Sequence, residues 1–554
     1  MDPWTPQRRW PLFALLAIAL LIRLAHWWAV RDEPFFSWLA MDSQEYDRWA
    51  QGIANGDWLG SQVFFQAPLY PYALGLLYVV FGRSLDAVYL VQIALAVAGC
   101  WALYRAGRIM GGERVGLAAA GLAAFYGPFL FHDVQLLKES AAVAVVSFLL
   151  WSLAARRWFA AGVLLGILAL LRENALLLLP FLLPLAASKG FLRRAGALIG
   201  GLLLALLPVA IRNGVVGGDF LPTTFQGGVN FYIGNNPEAD GTYRPIVPGK
   251  QIPALERQEP VRIAESELGR KLSAGEVSSF WMRKALAWAA DHPGDFLRLQ
   301  LRKLRMFWSW YEWPDAVDYY WVRQLSPALR FAWVEFGAIT LLALAGLWLV
   351  RRESGPFGPA LLFALGWMLS TVVFFLFSRY RLPAVPALMI LAAVPIARIS
   401  ERPRTGPVLA VLAALLIPHL IGFEPRLDLV HYNLGRIEDE RGNPDAAREH
   451  YKAAFILNPR DFLACLNLGN HAARQGDWET ALRFFLRAEA LEPRSDDVQS
   501  NLGGVYLALG DFQEAKARFD RALALNPQNA AARHNREILE RRLSASESSA
   551  GTPR

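Results

Sequence analysis

Eleven apolar runs, most of them near the length that crosses a bilayer, constrain this chain more than any other feature. They fall at about 10–30, 86–108, 115–131, 135–155, 158–171, 174–188, 195–211, 328–350, 357–377, 383–398 and 405–422. A crossing takes about 17–25 residues, and backbone in hydrocarbon must satisfy its own hydrogen bonds, so such runs read as helices. Composition agrees: 54% of the 554 residues are hydrophobic and 19% are charged, which excludes a disordered chain and argues against a purely soluble one. The first run is longer than a secretory h-region and lacks a small-residue cleavage site, so it is expected to persist as a helix. Residues 68–81 (PLYPYALGLLYVVF) are also apolar but short, and prolines stand at 68 and 71. Two cysteines, Cys100 and Cys465, make no disulfide framework and no zinc cluster.

The formal charge of +8 is placed like an orientation signal and not like a nucleic-acid surface. From Asp428 to Arg554 there are 19 acidic and 17 basic side chains in 127 residues, so the positive excess lies in the apolar part. If 68–81 does not cross, six clusters share one side: Arg8/Arg9, Arg105/Arg108/Arg114, Arg156/Arg157, Lys189/Arg193/Arg194, Arg351/Arg352 and Arg398/Arg402/Arg404. The positive-inside rule makes that side cytoplasmic. Eleven spans then leave the C-terminus outside, together with two long loops, about 31–85 and 212–327. The expected organisation is a membrane domain over 1–427, a helical array over 428–543 and a disordered Ser-rich end over 544–554.

The array declares itself by repetition. Asn433-Leu434-Gly435 recurs as Asn467-Leu468-Gly469 and Asn501-Leu502-Gly503, a period of 34, and Ala447, Ala481 and Ala515 keep the same spacing. Asn458-Pro459, Glu492-Pro493 and Asn526-Pro527 close the units. The pattern resembles the tetratricopeptide repeat family, an α-solenoid of paired antiparallel helices, with 530–543 as the polar cap. That resemblance implies a concave surface for a protein partner.

Ionisable residues at the outer ends of the spans are the candidates for chemistry, because charge near hydrocarbon is costly to keep. The first outer loop carries Asp42, Glu45, Tyr46 and Trp49, then Gly56-Asp57-Trp58 and Pro68-Leu69-Tyr70-Pro71. His132-Asp133 and Lys138-Glu139 follow span three, Arg172-Glu173-Asn174 follows a span of only about 14 residues, and Arg379-Tyr380-Arg381-Leu382-Pro383 follows span nine. The segment from Gly227 to Pro237, with Asn230 and Asn235, lacks the strand-then-helix context of a nucleotide loop and reads as an irregular acceptor-facing loop. Bland readings stand beside these. Asp42 could be a helix cap, Lys138 and Glu139 a solvated interface, His132 a hydrogen-bonded interfacial residue, Arg172 and Glu173 a paired turn, and Arg379 and Arg381 snorkelling anchors. Trp308, Trp310, Tyr311 and Trp313 read as an interfacial belt.

In order and spacing, Asp42 with Tyr46, Gly-Asp-Trp, Pro-Leu-Tyr-Pro, Asp133 and Arg379-Tyr380-Arg381-Leu382-Pro383 resemble the GT-C membrane glycosyltransferases. The closest branch is glycosyltransferase family 39, which includes protein O-mannosyltransferases and lipid A aminoarabinose transferases. The resemblance covers about 10–422 and is weak over 212–327. It implies an all-α polytopic fold, an inverting sugar transfer from a polyprenyl-phosphate donor at the outer face, Asp42 as general base, and a juxtamembrane helix at 68–81 that does not cross. Asp133, Lys138, Arg172, Arg379, Tyr380 and Arg381 become donor-side candidates, and Glu45, Tyr46, Tyr70, Asn230 and Asn235 acceptor-side ones. No metal is expected, since arginines can hold a lipid phosphate, although Asp42 and Asp133 could approach one ion. The setting expected is a bacterial inner membrane with periplasmic repeats. Two rival readings are a non-catalytic assembly scaffold working through the repeats, and a polysaccharide polymerase or ligase using lipid-diphosphate donors.

Overall fold

The computed structural model describes residues 10–187, 189–247, 253–352, 355–401 and 405–550. Arg8, Arg9, Arg402 and Arg404 of the basic clusters lie outside them. The described chain is α-helical, with no sheet; its single β-type contact is a bridge between Tyr126 and Val334. It forms two compact units, Met1–Arg244 with Arg257–Pro425, and Arg426–Arg554 with Pro245–Glu256.

In the first unit, five helices have the length and apolarity to cross a membrane: Trp10–Val30, Leu85–Gly111, Phe191–Gly217, Gly355–Val372 and Ser378–Ile399. Shorter apolar helices stand at Leu69–Phe81, Glu139–Ala154, Trp158–Leu171, Glu173–Ala186, Phe336–Val350 and Thr405–Leu420. The protein is therefore a multi-pass, all-α membrane protein. Leu69–Phe81 has 13 residues, roughly 20 Å of helix, short of the ~30 Å hydrocarbon core. It buries Tyr70, Leu74 and Tyr78 while Leu76, Val79, Val80 and Phe81 stay exposed.

Proline reshapes two of the expected runs. The stretch 115–131 is not one helix: Glu113–Ala124 stops, and Gly127–Asp133 begins after a break at Phe125-Tyr126. Pro128 lacks the N–H that a continuing helix would use, and the freed backbone pairs instead with Val334 (Gly127 N–H to Val334 oxygen, 3.1 Å; Val334 N–H to Phe125 oxygen, 3.2 Å). Likewise 174–188 is a chain of short turns, Glu173–Leu178, Leu179–Leu182 and Leu183–Ala186, punctuated by Pro180 and Pro184. Where helices meet tightly, small residues make room. A Cβ on Gly107 would lie 3.0 Å from the Cα of Gly116, so Leu85–Gly111 and Glu113–Ala124 touch backbone to backbone.

The second unit shows why its signature repeats. A Cβ at Gly435, Gly469 or Gly503 would come within 2.8, 2.5 and 2.5 Å of the rings of Tyr451, Phe485 and Phe519. Each aromatic residue of the second helix thus seats on the glycine of the first, once per repeat. Gly442, Gly476 and Gly510 turn between the helices at φ of 79°, 74° and 82°, a conformation that suits glycine. Asp477 and Asp511 cap the helices that follow, accepting from the main-chain N–H of Thr480 and Glu514, each at 3.1 Å. The last helix runs Ala530–Ala550, past the expected end of the cap at 543, so helix continues over most of the stretch expected to be disordered; 551–554 lie outside the described residues.

Candidate active site

Asp42 opens the helix Asp42–Ala54. The residue before it, Met41, has φ 53° and ψ −127°, a costly backbone state for a side chain of that kind and one found mostly where a site requires it. The free N–H groups and dipole of the helix start favour an anion there. Asp42 Oδ2 accepts from Arg379 Nη2 at 2.8 Å, and Asp315 Oδ2 lies 2.7 Å from the same nitrogen. Glu139 Oε1 is 3.8 Å from Arg379 Nη1 and is also paired with Arg172. Both guanidinium groups lie over the ring of Tyr380, Arg172 at 4.5 Å and Arg379 at 5.2 Å from its centroid. Lys138 Nζ lies 6.0 Å from the centroid of the Tyr46 ring.

Exposure sorts this cluster into layers. Side chains of Asp42 and Asp315 are 25% and 34% accessible, against 7% for Arg379 and 0% for Glu139. The open side of the site therefore presents carboxylates, and the cations lie beneath. Desolvation within the cluster, opposed by Arg379 and reinforced by Asp42 and Glu139, raises Asp315 above the usual carboxylate range even though 34% of its side chain is accessible. Tyr46 is buried close to Asp42, Arg379, Glu139 and Arg172, and burial pushes its hydroxyl well above the usual value, so it stays protonated and able to donate. Several polar atoms in this cluster, Glu139 Oε2, Arg172 Nε and Arg379 Nε, are buried without a hydrogen-bond partner.

Local structure explains the delivery of each group. The chain leaves Gly358–Val372, turns, and enters the short helix Ser378–Arg381 before Pro383. Trp367 Nε1 donates to the main-chain oxygen of Tyr380 at 2.8 Å, which fixes that turn. Ser378 Oγ accepts from the main-chain N–H of Trp313 at 2.6 Å, which brings Pro314 and Asp315 alongside Arg379.

Several expected members lie elsewhere. Arg381, two residues after Arg379, projects about 200° around the helix and is buried against Glu312 Oε1 at 2.7 Å, the oxygens of Phe307 and Ser309, and the ring of Phe336 at 3.8 Å. Asp133 is 2% exposed and committed to Arg23 Nε at 2.8 Å and Ser140 Oγ at 2.6 Å. Glu45 pairs with Arg48 at 3.1 Å. Tyr70 stacks edge-on with Tyr46 at 5.4 Å and donates to Gln92 Oε1 at 2.7 Å. Asn235 is fully buried and structural, donating to the oxygens of Phe231 and Val373, both at 2.8 Å. Asn230 is half-buried in the helix Gln226–Gly234, so this segment is regular and not the irregular loop expected. Glu139, for which a solvated interface was the bland reading, is buried. Trp308 and Tyr311 are half-buried, stacking on Phe336 at 6.2 Å and Tyr320 at 5.2 Å. Sequence reasoning missed Asp315. Its only local signals were the preceding Pro314 and a cluster of Trp and Tyr in a loop with no motif spacing.

Residues 66–212 match the family model described as dolichyl-phosphate-mannose-protein mannosyltransferase, and 432–496 and 472–535 match tetratricopeptide repeat models. No curated protein matches the chain. Among solved structures, the apo oligosaccharyltransferase of Archaeoglobus fulgidus is similar at 16% identity over 81% of this chain and 60% of its own, with a TM-score of 0.44. The same archaeal enzyme with an inhibitory peptide and a dolichol-phosphate gives 14%, 81%, 60% and 0.41. The first tetratricopeptide domain of human RPAP3 gives 24%, 22% of this chain, 98% of its own and 0.21. This chain spans about 60% of the archaeal enzyme's length. The class is thus a multi-pass membrane protein with a mannosyltransferase-like segment. More particularly, residues 66–212 are similar to the mannosyltransferase family, and tetratricopeptide repeats follow at the C-terminal end. The mannosyltransferase match includes Asp133, Lys138 and Arg172; Asp42, Asp315 and Arg379 lie outside it.

Proposed function

We propose that this protein is a glycosyltransferase that moves a sugar, with inversion, from a polyprenyl-phosphate donor to an envelope acceptor at the outer face of a bacterial inner membrane. The observation that carries the reading is the Asp42–Arg379 contact at 2.8 Å, supported by the mannosyltransferase-like segment 66–212. The acceptor's oxygen or nitrogen attacks the anomeric carbon, the bond from that carbon to the phosphate oxygen breaks, and Asp42 takes the acceptor's proton. The leaving group is a phosphate monoester of the lipid and needs cations more than an acid. Arg172 and Lys138, with Arg379 between the carboxylates, supply them. Four carboxylates (Asp42, Asp315, Glu139, Glu173) face three cations (Arg172, Arg379, Lys138), so an arriving phosphate adds further negative charge and competes with Asp42 and Asp315 for Arg379. That competition frees Asp42 from its ion pair when donor is bound.

Asp315, accessible beside Asp42, is placed to orient the acceptor. The repeats fit a protein partner on their concave side. Purified protein in nanodiscs with a radiolabelled polyprenyl-phosphate sugar tests the reading: label should reach an envelope acceptor, and Asp42→Asn should lose that transfer. Equal transfer by the variant, or transfer only from a lipid-diphosphate sugar, refutes it. A periplasm-dependent reporter fused after Arg554 should be active, and an inactive one reverses the orientation.

A further inference from the structure

The helix Pro293–Phe307 (PGDFLRLQLRKLRMF) divides into three longitudinal faces. One is buried: Leu299, Lys303 and Phe307 point into the protein. The second is apolar, with Leu297 and Leu301 uncovered at 59% and 57% exposure and Leu304 beside them half-buried against the core. The third is a row of exposed arginines, Arg298, Arg302 and Arg305, at i, i+4 and i+7. Arg298 shares an exposed ion pair with Asp295 at 2.8 Å, a contact that contributes little. Among the described residues, Arg302 and Arg305 make no ion pair or side-chain hydrogen bond.

The buried face fixes where this helix lies. Lys303 Nζ donates to the main-chain oxygen of Phe374 at 2.7 Å and to Asn235 Oδ1 at 3.1 Å, while Asn235 donates to the oxygen of Val373. Those two carbonyls follow directly on the apolar helix that ends at Val372, whose last turns expose Leu369 and Val373. With Gly355–Val372 taken as a span, its end marks where it leaves hydrocarbon, and Lys303 ties Pro293–Phe307 to that end. A leucine face beside an arginine row at that depth has the chemistry of a helix lying in a bilayer interface, with leucines in the acyl boundary and guanidinium groups on phosphates.

We infer that Pro293–Phe307 is an interfacial anchor that docks on anionic lipid headgroups of the leaflet next to the site. The same helix reaches Arg379 through Lys303 and the turn at Phe374, so lipid contact also holds the turn that delivers the site arginine. This assignment is independent of which sugar or acceptor the site uses.

A nitroxide at position 301 (Leu301→Cys, with Cys100→Ser and Cys465→Ser) reports its surroundings in nanodiscs containing phosphatidylglycerol. The label should collide with oxygen several-fold more often, relative to a water-soluble nickel chelate, than a label at the exposed Glu267. Spin-labelled phosphatidylglycerol should be retained at the protein boundary over phosphatidylcholine, and Arg298→Gln/Arg302→Gln/Arg305→Gln should abolish that preference. A label at 301 as open to nickel as one at 267 overturns the proposal. So does a label shielded from both reagents, which would mean that a protein, such as a second copy, covers the face. An unchanged lipid preference in the triple variant overturns the headgroup contact.

Discussion

Asp42 and Arg379 stand 337 positions apart in the chain and meet at 2.8 Å through Oδ2 and Nη2. The same Nη2 serves Asp315, so one guanidinium nitrogen joins the helix Asp42–Ala54, the last turn before Pro383 and the segment that follows Trp313. Any disturbance of Arg379 is felt by all three.

Replacing Asp42 by Asn removes the proton acceptor and keeps the shape. Asparagine is also tolerated at a helix start, so the thermal midpoint should move little. Transfer should fall about 10²–10⁴-fold, the usual contribution of a positioned base. Initial rates at saturating donor, with a melting curve on the same preparation, measure both.

Removal of Arg379 leaves Asp42, Asp315 and Glu139 without the cation they share. Breaking a buried ion cluster in this way costs roughly 3–5 kcal/mol, so Arg379→Gln should melt early and bind donor poorly. Arg379→Lys should not rescue it, because a single ammonium cannot reproduce the planar fork. Donor titration of the two variants checks this.

Arg381 should behave differently although it is only two residues away. Its partners are Glu312 and main-chain oxygens, so Arg381→Met should lower stability by a similar ~3–5 kcal/mol while transfer per folded molecule stays near normal. Adding Glu312→Leu should recover part of the loss, since two compensating apolar side chains replace a buried pair without an orphan charge. A double-mutant cycle on denaturation midpoints reads the coupling.

Lys303 gives a pH signature. Burial beside neutral oxygens lowers it to about 7, whereas an unfolded lysine titrates near ~10.4. Between those values the unfolded chain holds a proton that the folded chain has released, so stability should rise with pH from about 7 to about 10 and be flat below. Lys303→Met should remove that rise; melting midpoints of both proteins between pH 6 and 10 decide it.

Chelation of divalent ions should leave transfer unchanged, because Arg379 already occupies the bridging place between Asp42 and Asp315. A rate abolished by chelator and restored by added magnesium or manganese would put an ion at that position in the working enzyme.

The sequence alone determined the helical membrane class and the repeats, since both rest on periodic local rules: uninterrupted apolar length for one, and glycine-to-ring seating every 34 residues for the other. It also pointed to Asp42 and Arg379, because charge held at a membrane boundary is costly and stands out against apolar flanks. The interruptions at Pro128, Pro180 and Pro184 were visible as residues, but the trade of helix for a bridge to Val334 depended on a partner about 200 positions away. Only the tertiary structure separated Arg379 from Arg381, drew Asp133 away to Arg23, and brought Asp315 into the site. Those outcomes depend on side-chain direction and long-range ion pairing, and neither leaves a periodic trace: two arginines two residues apart look alike in a string, yet a helix turn of about 200° sends one to the carboxylates and the other into the core.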